Sequence, residues 1–127
     1  YMGRLRCVQE ISAVTAACMM VKTSVFKAVG GFDEELKVAF NDIDLCMKVR
    51  KYGVKIVFTP YAELYHYESK SRGMEDTPEK QLRFSREVNC FRRKWERELL
   101  KGDPYYNPNL TLNNTDCSLR KQEKNGD

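Results

Sequence analysis

The 127-residue chain has one histidine, one tryptophan, four prolines and no long apolar run. A single histidine excludes a metal cage built from histidines alone. The five cysteines, Cys7, Cys18, Cys46, Cys90 and Cys117, lie far apart with no C-x-x-C pair. That spacing argues against a structural zinc site and against a disulfide framework, and fits reduced cytosolic thiols. Cys18 and Cys46 fall on apolar faces with no histidine beside them, so they read as inert core thiols. The longest apolar stretch, Ala13 to Val21, is about half what a bilayer-spanning helix needs, and no charged segment and cleavage site precede it. Neither a transmembrane segment nor a signal peptide is read. There is no D-x-[DN]-x-[DN]-G loop of the EF-hand kind and no internal repeat.

What is present is 42% hydrophobic residues and a mean hydropathy of -0.61, the profile of a soluble globular domain. A chain of this length buries roughly two-thirds of its unfolded surface, enough for one core, and reads as one compact domain with tails. It starts abruptly at Tyr1-Met2-Gly3 with an apolar run close behind, which suggests a piece of a longer protein. The net charge of +4 is concentrated between Pro78 and Gly102, where eight Lys and Arg face four Glu. Those basic residues read as a solvated helix face, with attraction to anionic lipid or a carrier phosphate as the alternative. Nucleic acid is disfavoured: four Glu interrupt the patch, and the tryptophan lies on the apolar stripe.

Along the chain, Val14 to Val21 reads as a buried strand. Thr23 and Ser24 are cap types ahead of a helix of one to two turns, with Gly30-Gly31 where a left-handed C-cap is wanted. A helix of about ten residues starts at Asn41 or Asp42 and ends at Gly53. Val54 to Thr59 and Ala62 to Tyr67 read as extended segments, and Ser69 to Asp76 as a polar loop. Thr77-Pro78 opens a long amphipathic helix whose Phe84, Val88, Phe91, Trp95 and Leu99 fall on one stripe before Gly102. Residues 1–102 form the domain on this reading. Residues 103–127 form an irregular, partly flexible tail, frayed from Asn113 onward.

The densest polar cluster is Asp33-Glu34-Glu35 followed by Asn41-Asp42-Ile43-Asp44. Asp42 at a helix N-terminus is stabilised as an anion by backbone N–H groups and the helix dipole, and suits a base toward a substrate hydroxyl. Asp44 points elsewhere on that helix and suits orienting its neighbours. Plain N-capping is the simpler reading of both. His66 stands near a strand end, where a neutral imidazole is a competent ligand for Mn²⁺ or Zn²⁺. The following Glu68, Ser69, Ser71 and Arg72 suit a metal-bound diphosphate, Arg72 through its planar fork. A lone histidine is, however, more commonly a surface or core residue.

In this order the motifs resemble the C-terminal half of a family 2, GT-A-type glycosyltransferase, of the bacterial kind that includes rhamnosyltransferase-like polysaccharide enzymes. The resemblance covers roughly Val14 to Trp95. It is carried by Ala16 to Val21, then Val25 to Glu34, then Asn41-Asp42-Ile43-Asp44-Leu45-Cys46 with Gly53, then Pro60, then His66 with Ser69, Ser71 and Gly73. It implies an α/β fold, the acceptor-side portion of a nucleotide-diphospho-sugar transferase, with short strands, helices and a long C-terminal amphipathic helix. It further implies an inverting transfer from a nucleotide-sugar donor to a glycan or lipid-linked acceptor, with Asp42 as the base. His66 matches a ligand to a divalent metal, Mn or Mg, whose other ligands would come from an N-terminal half. That metal would neutralise the departing diphosphate. Gly31, Phe32 and Asp33 would line the acceptor side, with Asp44 also on the substrate-binding side, and the loop bearing Ser69, Ser71 and Arg72 would fold over the diphosphate. Two positions depart from the pattern: Asn41 stands where a Glu is usual, and Lys48 where an Arg is usual. The N-terminal half with its Asp-x-Asp is absent, so the chain alone is expected to be inactive. The implied location is cytoplasmic, or at the inner face of the membrane through the basic helix. A non-catalytic glycan- or partner-binding module on the same scaffold is the alternative.

Overall fold

A computed structural model describes residues 2–67, 77–114 and 116–120. The described chain is mixed α and β, dominated by helix. A 3-10 turn at Met2–Arg6 leads into strand β1, Gln9–Glu10, which pairs antiparallel with β2, Val57–Phe58, in the register Gln9 with Phe58 and Glu10 with Val57. Ile11 N–H extends the ladder to the Ile56 carbonyl at 3.1 Å. The other elements are α1 at Thr23–Ala28, α2 at Asn41–Lys51 and α3 at Pro78–Leu100.

The Val14 to Val21 strand does not form. Ala16–Cys18 is a 3-10 turn capped by Thr15, whose hydroxyl accepts the Ala17 N–H at 3.3 Å, and Met20 is 99% exposed. A strand exists only where another supplies its hydrogen bonds, and no strand of the described residues lies alongside this one. Cys18 is accordingly exposed, whereas Cys46 is buried as expected.

Helix α1 ends as its sequence predicts. Gly31 N–H donates to Phe26 C=O at 2.9 Å and Gly30 N–H to Lys27 C=O at 3.1 Å, with φ of +77° at Gly30 and +63° at Gly31. This is a Schellman close, and a Cβ on Gly31 would meet the Phe26 ring at 3.0 Å. Helix α2 has the predicted span, but its N-cap is Phe40 rather than Asn41 or Asp42. Phe40 adopts a left-handed φ of +63°, costly for a residue with a Cβ. Aromatic contacts hold it there: its ring stacks on Phe91 at 5.1 Å and leans on Phe84 at 5.9 Å.

Helix α3 starts at the predicted Thr77-Pro78, with Thr77 capping Lys80 N–H, and departs from helical dihedrals at Trp95. Only the middle of its stripe is sealed. Phe91 and Trp95 are buried against Leu36, Phe40, Ile43 and Met47, while Phe84 and Leu99 are each nearly half exposed. Leu45, Cys46 and Val49 add the buried face of α2. The segment from Asn113 is not frayed as far as it is described: Thr111 N–H bonds Ser118 C=O at 2.9 Å, and Leu110 bridges Leu119. Tyr105 Oη reaches back to Glu10 at 3.1 Å, and Arg50 stacks over the Tyr105 ring, tying this segment to β1 and α2. Among the described residues no helix is long and apolar enough to cross a membrane.

Candidate functional site

The turn after Gly31 is fixed from three sides. Asp33 accepts the Glu35 N–H at 2.9 Å through its own side chain, a local turn that acidic residues form readily. Phe32 packs edge-on to Phe26 at 5.5 Å. From α2, Lys48 donates to the Gly31 carbonyl at 2.7 Å. Beside this turn opens a cleft of about 430 Å³ lined by Phe32, Asp33, Glu34, Leu36, Lys37 and Asn41. Aromatic, carboxylate, ammonium and amide groups thus converge on one wall.

Asp44 lies behind that wall. It has no exposed surface and receives Trp95 Nε1–H at 2.8 Å and Lys94 Nζ at 2.8 Å. Lys48 Nζ lies 3.1 Å from its second oxygen, an ion pair that lacks hydrogen-bond geometry. A carboxylate so enclosed has no face for a substrate, which corrects its assignment as a substrate-binding residue. It orients Lys48, Lys94 and Trp95 instead. Lys94 also donates to Asp33. That contact, followed by the Glu35 N–H, holds the Asp33 carboxyl below the usual aspartate range. Burial pulls Lys94 down, but its bonds to Asp33 and Asp44 outweigh this and leave it raised.

Asp42 is half-buried at the start of α2. Its Oδ2 accepts Ala16 N–H at 3.1 Å and its Oδ1 accepts Ile43 N–H at 2.8 Å. It therefore ties the 16–18 turn to the first turn of α2, and each oxygen keeps acceptor capacity for a further donor. Asn41, not Asp42, is the residue of this helix start that lines the cleft. Gly31 is buried and contributes its carbonyl to Lys48 rather than a surface to the cleft. Phe32 and Asp33 do line it.

His66 is exposed in the segment 61–67, where Tyr61 and Tyr65 are more than four-fifths exposed, and it is not among the cleft's lining residues. Ser69, Ser71, Arg72 and Gly73 lie outside the described residues. Among the described residues no three His, Cys, Asp or Glu side chains gather as they would around a metal ion. The described chain does not by itself build a metal centre.

Sequence reasoning missed two residues. Glu87 is 3% exposed on α3 and accepts the Ala39 N–H at 2.6 Å, fixing the approach to Phe40 and Asn41. Lys94 belongs to a charge run that reads as a solvated face. The one local signal was its place beside Trp95 on the apolar stripe.

The chain matches several known proteins. It is 57% identical over 120 residues, 94% of its length, to the uncharacterized protein y4gI of Sinorhizobium fredii. It is 39% identical over 115 residues, 91% of its length, to the O-antigen biosynthesis protein RfbC of Myxococcus xanthus. Over 67 residues, 53% of its length, it is 36% identical to the N-acetylglucosaminyl-diphospho-decaprenol L-rhamnosyltransferase of Mycobacterium tuberculosis. It spans only 13%, 9% and 22% of those proteins' own lengths. No family model and no solved structure matches it. The chain is thus a relative of rhamnosyltransferase-like polysaccharide proteins, as the order of its motifs implied, and it corresponds to a small part of each.

Proposed function

We propose that the chain is the acceptor-side portion of an inverting, GT-A-type family 2 glycosyltransferase. In this reading it moves a sugar from a nucleotide-diphosphate donor to a hydroxyl of a glycan or lipid-linked acceptor. The observation that carries this is the similarity to the O-antigen biosynthesis protein over nine-tenths of the chain, joined to a cleft lined by Phe32, Asp33 and Asn41 that opens beside the start of α2. The acceptor lies against Phe32, Asp33 and Asn41. Asp42, one residue beyond Asn41, takes the proton of the attacking hydroxyl. Its two backbone N–H contacts fix the carboxylate's orientation, which a base requires. A divalent metal, Mn²⁺ or Mg²⁺, would draw one ligand from His66 and the rest from outside the described residues. Ser69, Ser71 and Arg72 would attend the donor diphosphate. The location is cytoplasmic, with α3 toward the inner membrane face.

One observation favours a second reading, a non-catalytic glycan-binding module: both oxygens of Asp42 already serve the fold. One substitution separates the two. In the chain joined to a nucleotide-sugar-binding half, Asp42→Asn abolishes transfer and leaves donor binding intact if Asp42 is the base, whereas retained turnover overturns that role. The 127-residue chain alone is expected to show no transfer.

A further inference from the structure

The link between Lys94 and Asp33 joins residues 61 positions apart and does not belong to the motifs that suggested the function. Its other end is fixed. Asp44, fully sealed, is held by Trp95 Nε1, so the Lys94 ammonium that it accepts at 2.8 Å has little freedom to move. One ammonium has three donors, and Lys94 directs two of them to two different carboxylates. The carboxylate on the far side, Asp33, is 22% exposed and lines the cleft next to Phe32.

The charges also balance. Asp33 and Asp44 face Lys48 and Lys94, so the carboxylate offered to the cleft carries its countercharge behind it and suits a neutral hydroxyl donor. An aromatic ring beside a carboxylate is the pairing that receives a sugar, whose C–H face is apolar and whose edge is hydroxylated. Resting on the reading of the cleft as an acceptor site, we propose that Lys94 is a positioning residue. Anchored on Asp44, it holds the Asp33 carboxylate toward the cleft so that it accepts a hydroxyl of the acceptor sugar.

The test is an amide NMR titration of the 127-residue chain with N-acetylglucosamine, the sugar in the name of one relative. The wild type should show shifts confined to 32–37 and Asn41. Lys94→Met and Asp33→Asn should each weaken binding about tenfold, the worth of one hydrogen bond to a charged group, and the double variant no further than either alone. A purely structural Lys94 would give losses that add. Asp33→Asn keeps the Asp44 anchor, and if Lys94→Met does not fold, Lys94→Gln takes its place in the cycle. Unchanged binding by the Lys94 variant, or additive losses, overturns the proposal and leaves the cleft reading standing. No shift at the cleft in the wild type overturns the cleft reading, and the proposal with it.

Discussion

Replacing Asp44 by Asn keeps the shape of the side chain and removes its charge. Three nitrogens converge on this carboxylate: Trp95 Nε1 at 2.8 Å, Lys94 Nζ at 2.8 Å and, as an ion pair only, Lys48 Nζ at 3.1 Å. The amide can still accept from Trp95, but it leaves two ammonium groups beside a neutral group and turns an NH₂ toward one of them. Breaking a buried ion pair by removing one partner costs about 3–5 kcal/mol. The lysines are 32% and 19% exposed, so water recovers part of that loss, and the low end, about 3 kcal/mol, is expected. Urea unfolding followed by tryptophan fluorescence reads it directly, because the single tryptophan is Trp95 itself. With a urea slope of about 2 kcal/mol per molar, the midpoint should fall by about 1.5 M. A midpoint within about 0.3 M of the wild type would refute the view that this cluster holds α2 and α3 together.

At Phe40 the left-handed backbone predicts an inverted order: Phe40→Gly, although it loses the same ring, should be less destabilising than Phe40→Ala by about 1 kcal/mol. Equal or reversed urea midpoints would show that the strain is not stored there. The Asp33 carboxyl is held below its usual range by Lys94, so its contribution is fully present above the unfolded value of about 3.9 and is lost as pH falls through the folded value. Lys94→Met should therefore flatten the acid limb of the stability curve below about pH 4, and an unchanged limb by urea midpoint would sink the assignment. On α3, Arg92 and Arg93 border a surface shared with Leu99 and Leu100, the latter 83% exposed. Sedimentation with anionic vesicles should show binding that falls as salt is raised, whereas binding indifferent to salt would argue against an electrostatic membrane contact.

What the sequence made legible follows from the range of the interactions involved. The close of α1 at Gly30-Gly31, the span of α2 and the start of α3 at Thr77-Pro78 depend on contacts within one or two turns, and the residues needed for them stand side by side in the chain. The Val14 to Val21 strand failed for the opposite reason. Its apolar residues read as a covered run, but a strand is a property of a pair, and the described chain supplies no second member there. The same argument applies to the site. Asp33 and Asn41 come together because a nine-residue turn carries one to the other, and motif order pointed to Asp33 as a cleft residue but to Asn41 only as a departure from the pattern. The partners that decide what those residues can do lie 48 to 61 positions away: Glu87 behind Ala39, Trp95 and Lys94 on Asp44, Lys94 on Asp33. Each looks from sequence like one more charge or one more apolar residue on an amphipathic helix, because periodicity tells which way a side chain faces and not what stands opposite. Asp42 and Asp44, two residues apart and equally acidic, show the consequence. The helix turns the second inward onto two lysines and an indole, and leaves the first half-buried at the helix start, next to the asparagine that lines the cleft. Asp42 is therefore open to an outside group and Asp44 is closed to one.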